Sequence, residues 1–126
     1  MLRDQIAARG ITDQRVLEAM RNVPREHFVP AAERFSAYDD RPLPIGFGAT
    51  ISQPYIVALM TERLDLAPTD RVLEVGAGCG YAAAVLGDLC AHVVTIETVP
   101  ELVAMARANL TDRGDHIEVV EGDGSA

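Results

Sequence analysis

Lysine and tryptophan are absent from the 126 residues, and the aromatic complement is three tyrosines and three phenylalanines. All positive charge is therefore arginine, eleven residues against nineteen acids, for a formal net charge of -8. Without a basic cluster there is no positive footprint for nonspecific contact with nucleic acid or an anionic membrane, so neither is expected as a partner. No stretch approaches the roughly 20 apolar residues of a membrane span. The N-terminus, MLRDQIAARG, lacks the apolar run of a signal peptide, and a cytoplasmic location is expected. Cys79 and Cys90 have no ligand pattern around them, and His27, His92 and His116 are scattered. A metal site is not expected, and a reducing compartment fits. Nothing basic adjoins Cys79 in sequence, which argues against a nucleophilic role.

What is present divides into a broken first part and a regular second part. Leu2, Ile6 and Arg9 have helical spacing over 2–9, with Gly10 as the stop. Thr12 and Asp13 are cap residues ahead of Val16, Leu17 and Met20, and Pro24 ends that second amphipathic helix. The stretch PREHFVPAAERFSAYDDRPLPIGFG, rich in proline and glycine, predicts a short helical piece near Ala31 to Phe35 and then an ordered loop. Pro54 suits the first turn of a helix carrying Ile56, Leu59, Met60 and Leu64. After a turn over 65–70 come RVLEV (strand), GAGCGY (loop), AAAVLGDL (helix), HVVTIE (strand), PELVAMARANL (helix) and HIEVVEGD (strand). Strands alternating with helices of this length predict an α/β fold with a parallel sheet of three strands. Two segments follow from this, an N-terminal helical and loop part over 1–53 and a sheet-bearing part over 54–126.

A strand running into Gly76-Ala77-Gly78-Cys79-Gly80 and then a helix is the setting of a nucleotide-cofactor loop, whose glycines permit φ > 0 and a close backbone approach. Its G-x-G-x-G spacing is one residue short of the G-x-G-x-x-G that cradles a dinucleotide pyrophosphate. Glu97 ends the next strand, where a carboxylate can accept from a ribose diol. Asp123, between Gly122 and Gly124, ends the third and could accept from an adenine amino group. An acid at the end of each successive strand, with no cation for a phosphate, favours S-adenosyl-L-methionine over NAD.

VLEVGAGCGYAAAVL, with TISQPYIVALM, PREHFVP and YDDRPLPIG before it and GDG after it, resembles the protein-L-isoaspartate O-methyltransferases, nearly collinearly from about residue 10 to residue 124. The resemblance implies the Rossmann-like sheet of a class I methyltransferase, represented by N-terminal helices and the first three strands. It implies methyl transfer from S-adenosyl-L-methionine to the free carboxyl of L-isoaspartyl residues in damaged proteins and peptides, leaving S-adenosyl-L-homocysteine. The ester then collapses to a succinimide unaided, so the cycle is a repair. Ser52 matches the active-site serine, within a substrate motif of Thr50, Ile51, Ser52 and Gln53. Glu74, Gly76, Ala77, Gly78 and Gly80 match the first cofactor motif, Glu97 the ribose-binding acid, and Asp123 with Gly124 the stretch that reaches the adenine. Cys79 stands where the family often has serine.

A substrate carboxyl with an ordinary pKa of about 4 is ionised at neutral pH, so no general base is required. Positioning and excluded water suffice, and a serine hydroxyl can hold one carboxylate oxygen. Gly46 and Gly48 would let the loop fold over a bound peptide; a competing role for Ser52 is the cap of the helix that Pro54 opens. The family's further strands pair beside RVLEV, whose apolar run expects neighbours on both edges. With the sequence ending soon after Gly124, that edge and the apolar face beside it are expected to pair with another copy or a separate polypeptide. A second reading is accordingly a binding module that holds S-adenosyl-L-methionine or a peptide without turnover.

Overall fold

The computed structural model describes residues 5–123. Leu2, in the first expected helix, lies outside them; from that stretch Ala7–Arg9 forms a 3-10 turn, closed by Gly10 at φ +100°. Helix α1 (Gln14–Asn22) starts at Asp13, whose carboxylate accepts the Arg15 N–H at 2.9 Å, and buries Val16, Ala19 and Met20. It stops at Val23, which Pro24 pushes out of the helical region to ψ +104°. Short 3-10 helices follow over Arg25–Phe28 and Ala31–Ser36, the second where a helical piece was expected.

Where the sequence predicts only an ordered loop, the chain builds an antiparallel hairpin of β1 (Leu43–Gly46) and β2 (Ala49–Ile51). Pro44 and Gly46 are poor strand residues and hid it. The turn residues Phe47 and Gly48 both have positive φ, +57° and +75°, which matches the twist of a two-residue hairpin turn. Leu43, Ile45 and Ile51 point into the core. The hairpin thus carries Thr50 and Ile51 up to Ser52 on a buried footing.

The second part follows the expected alternation: α2 (Pro54–Leu64), β3 (Arg71–Val75), α3 (Tyr81–Gly87), β4 (His92–Glu97), α4 (Pro100–Leu110) and β5 (Ile117–Glu121). The strands lie in the order β3-β4-β5, all parallel, with Val75 level with Ile96 and Glu97 level with Glu121. This is the expected α/β fold with a parallel three-stranded sheet. One buried cluster joins α1, the hairpin, α2, α3, α4 and β4, so both segments share a core. Arg15 of α1 fastens the turns around it, donating to the Leu66 carbonyl at 2.6 Å and the Leu89 carbonyl at 3.0 Å.

The opposite face is bare. Leu73 and Val75 of β3 are 62% and 65% exposed, beside Met60 and Leu64 of α2 at 65% and 52%. Among the described residues β3 pairs only with β4. Among the same residues no helix is long and apolar enough to cross a membrane, and no group of three or more His, Cys, Asp or Glu could hold a metal ion.

Candidate functional site

The glycine loop leaves β3 and turns at once. Gly76, Gly78 and Gly80 have φ of +94°, +55° and +91°, a region in which side chains are strained, and Gly80 opens α3 as its N-cap. The loop is held from within. Gly76 and Ala77 donate to the Ile96 carbonyl at 2.7 and 3.1 Å, and Gly80 to the Ala77 carbonyl at 2.9 Å. Asn109 of α4 clasps the Cys79 carbonyl at 2.9 Å. Since these amides and that of Gly78 are already engaged, the glycines contribute close approach more than hydrogen-bond donation. Burial pushes the Cys79 thiol up to about 11, which leaves it protonated and unreactive at neutral pH.

Glu97 is buried at the end of β4 and faces this loop. Its Oε1 accepts the Gly78 N–H at 2.9 Å, while Oε2 accepts those of Thr98 and Val99 at 3.0 and 3.2 Å. Two carboxylate oxygens offer about four acceptor positions, so one stays open on the loop side. Glu74, near the end of β3, takes the Thr95 hydroxyl at 2.6 Å. Burial pushes its carboxyl above the ordinary value; the Thr95 bond pulls it back, and the neighbouring Glu97 charge pushes it further up. Asp123 is exposed just beyond β5, on the rim that Glu97 shares, and Gly122 ties the two strand ends by donating to the Glu97 carbonyl at 2.9 Å. Gly124 lies outside the described residues.

Ser52 is exposed between β2 and α2. The cap of α2 is Gln53 rather than Ser52, and the Ile56 and Val57 amides both donate to the Gln53 carbonyl. The Gln53 side chain instead reaches Asp40 at 2.7 Å. Ser52 borders two adjoining cavities. One, of about 410 Å³, is walled by Ile56, Met60, Leu73 and Val75; the other, of about 90 Å³, also includes Thr50, Ile51 and the loop residues Gly76, Ala77 and Gly78. Glu74 borders both. Thr50, Ile51 and Ser52 of the substrate motif thus share a cavity with Glu74, Gly76, Ala77 and Gly78 of the cofactor motif, while Gln53, Gly80, Glu97 and Asp123 line neither cavity.

Reasoning from sequence missed Arg25. It appears in PREHFVP as one more surface-type residue, yet it is fully buried. Its Nε donates to the Ala37 carbonyl, its Nη2 to the Ser52 carbonyl at 2.8 Å, and its guanidinium carbon lies 5.1 Å from the centre of the Tyr81 ring. Nη1 is buried without a hydrogen-bond partner. Burial lowers the guanidinium's pKa, with Tyr81, Cys79 and Tyr38 acting in the other direction. The only sequence signal is its place between Pro24 and Pro30 and three residues before Phe28, in a stretch too short to show a period.

The family model of protein-L-isoaspartate(D-aspartate) O-methyltransferase (PCMT) matches residues 1–126. A protein-L-isoaspartate O-methyltransferase of Methanoculleus marisnigri is 57% identical over 99% of this chain, and one of Methanoregula boonei is 60% identical over 96%. The chain spans 57% and 56% of the length of these two relatives. A solved protein-L-isoaspartate O-methyltransferase superposes with a TM-score of 0.84 at 31% identity, over 94% of this chain and 40% of its own. A Plasmodium falciparum chain assigned to the same activity, solved with S-adenosyl-L-homocysteine, gives 0.78 at 27% identity, over 94% and 60%. The chain belongs to the protein-L-isoaspartate(D-aspartate) O-methyltransferase family.

Proposed function

We propose that the chain takes part in S-adenosyl-L-methionine-dependent methyl transfer to the free carboxyl of L-isoaspartyl residues, a repair of damaged proteins and peptides. The observation that carries this reading is the meeting of Ser52, Glu74 and the glycine loop around one cavity, in a chain of this family. The residues fit the methyl donor: acids stand at the ends of β4 and β5, and no lysine or arginine lines either cavity at Ser52. When bound, S-adenosyl-L-methionine supplies a methyl group on a sulfonium and leaves as S-adenosyl-L-homocysteine. Glu97 would hold the ribose through its remaining acceptor position, Asp123 and Gly124 are the residues expected to meet the adenine, and Gly76, Ala77, Gly78 and Gly80 would allow close contact. Glu74 offers negative charge beside a cationic ligand, which favours the ionised form that burial alone disfavours. Ser52 donates to one oxygen of the substrate carboxylate, while Thr50, Ile51 and Gln53 frame the peptide. On this reading 1–53 is the substrate segment and 54–126 the cofactor half. A cytoplasmic location is supported by two buried free thiols.

The test is incubation with methyl-labelled S-adenosyl-L-methionine and two matched peptides, one isoaspartyl and one aspartyl. Base-labile label on the isoaspartyl peptide alone is the expected result. Selective binding of that peptide without label would establish the second reading, a non-catalytic binding module. A chain that binds neither S-adenosyl-L-homocysteine nor the isoaspartyl peptide selectively would overturn both.

We also propose that the free edge of β3 pairs with the same edge of a second copy. An antiparallel register centred on Leu73 sets Leu73 against Leu73 and each Arg71 against a Val75, so no like charges meet, and the Met60 and Leu64 side chains are covered. Light scattering should then give a dimer mass at high concentration that falls to a monomer when Leu73 is replaced by arginine. A monomer at all concentrations would count against it.

A further inference from the structure

A buried cation without a carboxylate is costly, and an arginine in that state asks for a reason. Arg25 is fully buried, both carbonyls it holds are neutral, and Nη1 has nothing to donate to. The groups that act electrostatically on it are Tyr81, Cys79 and Tyr38, with no acid among them. Its position is also particular. Through Nη2 it holds the Ser52 carbonyl, and it lies against Tyr81, which with Cys79 and Ser52 walls the smaller cavity. Glu74 stands in the wall of that cavity, and Glu97, at the end of β4, holds the Gly78 amide beside it, in a chain of net charge -8. An anionic substrate entering there meets the Glu74 carboxyl in the lining, and Arg25 lies behind Ser52 and Tyr81 as the cation held against that wall.

We propose that the Arg25 guanidinium, fixed behind Ser52, makes the peptide site select a free carboxylate over a neutral derivative such as the methyl ester. This rests on the isoaspartyl reading above. The substrate carboxylate supplies the counter-charge that the interior lacks, and methylation removes it, so the product is released more readily than the substrate was held. Arg25 acts through the field and through Ser52, as a positioning residue. Because the charge is buried, salt screens it little.

The test measures binding of fluorescent peptides by polarisation in the presence of S-adenosyl-L-homocysteine. The ester cyclises, so the isoaspartyl free acid is compared with its stable α-carboxamide. The wild-type chain should bind the acid about tenfold tighter or better, and should keep that preference in about 0.5 M salt. Arg25→Met and Arg25→Gln should both lose the preference while S-adenosyl-L-homocysteine affinity changes less than about twofold. Glutamine can still donate to the Ser52 carbonyl, so a preference retained in Arg25→Gln would reduce Arg25 to a strut and overturn the proposal. Should both variants fail to fold, the wild-type arms decide: equal affinity for acid and carboxamide, or a preference that salt abolishes, overturns it. A wild-type chain that binds isoaspartyl no better than aspartyl peptide overturns the functional reading itself.

Discussion

Glu97→Ala is expected to weaken S-adenosyl-L-homocysteine binding by more than about a hundredfold, some 2.8 kcal/mol. Two losses combine. The direct one is the open acceptor of a buried carboxylate, whose hydrogen bonds to a ribose diol are worth about 1.5–3 kcal/mol each as charge-assisted bonds. The indirect one is larger in reach: the Gly78, Thr98 and Val99 amides all lose their acceptor, and the glycine loop and the entry to α4 lose their common anchor. Leaving buried donors unpaired costs about 1–3 kcal/mol apiece, although water can enter where the loop meets solvent. Isothermal titration of the variant against S-adenosyl-L-homocysteine measures the change. Affinity within about fivefold of wild type would mean that Glu97 is a brace for the loop and does not touch the ligand.

Tyr81→Ala should lower folding stability by about 3–5 kcal/mol, a large part of the 5–15 kcal/mol typical of a small domain. The ring is 1% exposed and meets Phe28 edge-on at 5.6 Å and 73°. Its removal opens a cavity between the Arg25–Phe28 turn and the start of α3, and exposes the Arg25 guanidinium to a void. Tyr81→Phe makes the contrast. The hydroxyl donates to the Met20 sulfur at 3.7 Å, a weak acceptor, and also interacts with the Arg25 guanidinium, so deleting the oxygen should cost about 1 kcal/mol, well short of the loss of the ring. Urea unfolding of the two variants separates ring from hydroxyl. If alanine costs under about 1.5 kcal/mol, the core closes around the missing ring and the account of this corner is wrong.

The parts of the fold that were legible in sequence are those where one local rule acts alone. Asp13 caps α1, Pro54 opens α2, and the switch from RVLEV to GAGCGY to a helix follows from strand composition and glycine placement. The hairpin was illegible because its strands are very short, one holds a proline, and its turn puts Phe47 where glycine or asparagine is usual. The same division runs through the site. Ser52, Glu74 and the glycine loop stand in motifs. Arg25 does not, because its role depends on three groups distant in sequence: the Ala37 and Ser52 carbonyls and the Tyr81 ring.

The parallel register of the sheet is also a ruler. Neighbouring strands lie about 4.8 Å apart, so β3, β4 and β5 lay out their ends at equal lateral steps spanning about 10 Å. Gly76 follows the first, Glu97 closes the second, and Asp123 stands just past the third, in pairing that sets Val75 beside Ile96 and Glu97 beside Glu121. On the proposed reading, a flat, elongated ligand lying across the strand ends would be measured in units of strand spacing, with the glycine loop closing over one end. A one-residue slip of β5 along β4 would turn its side chains to the other face of the sheet and destroy the graduation. On that reading the ladder hydrogen bonds that hold the strands together would also calibrate ligand length.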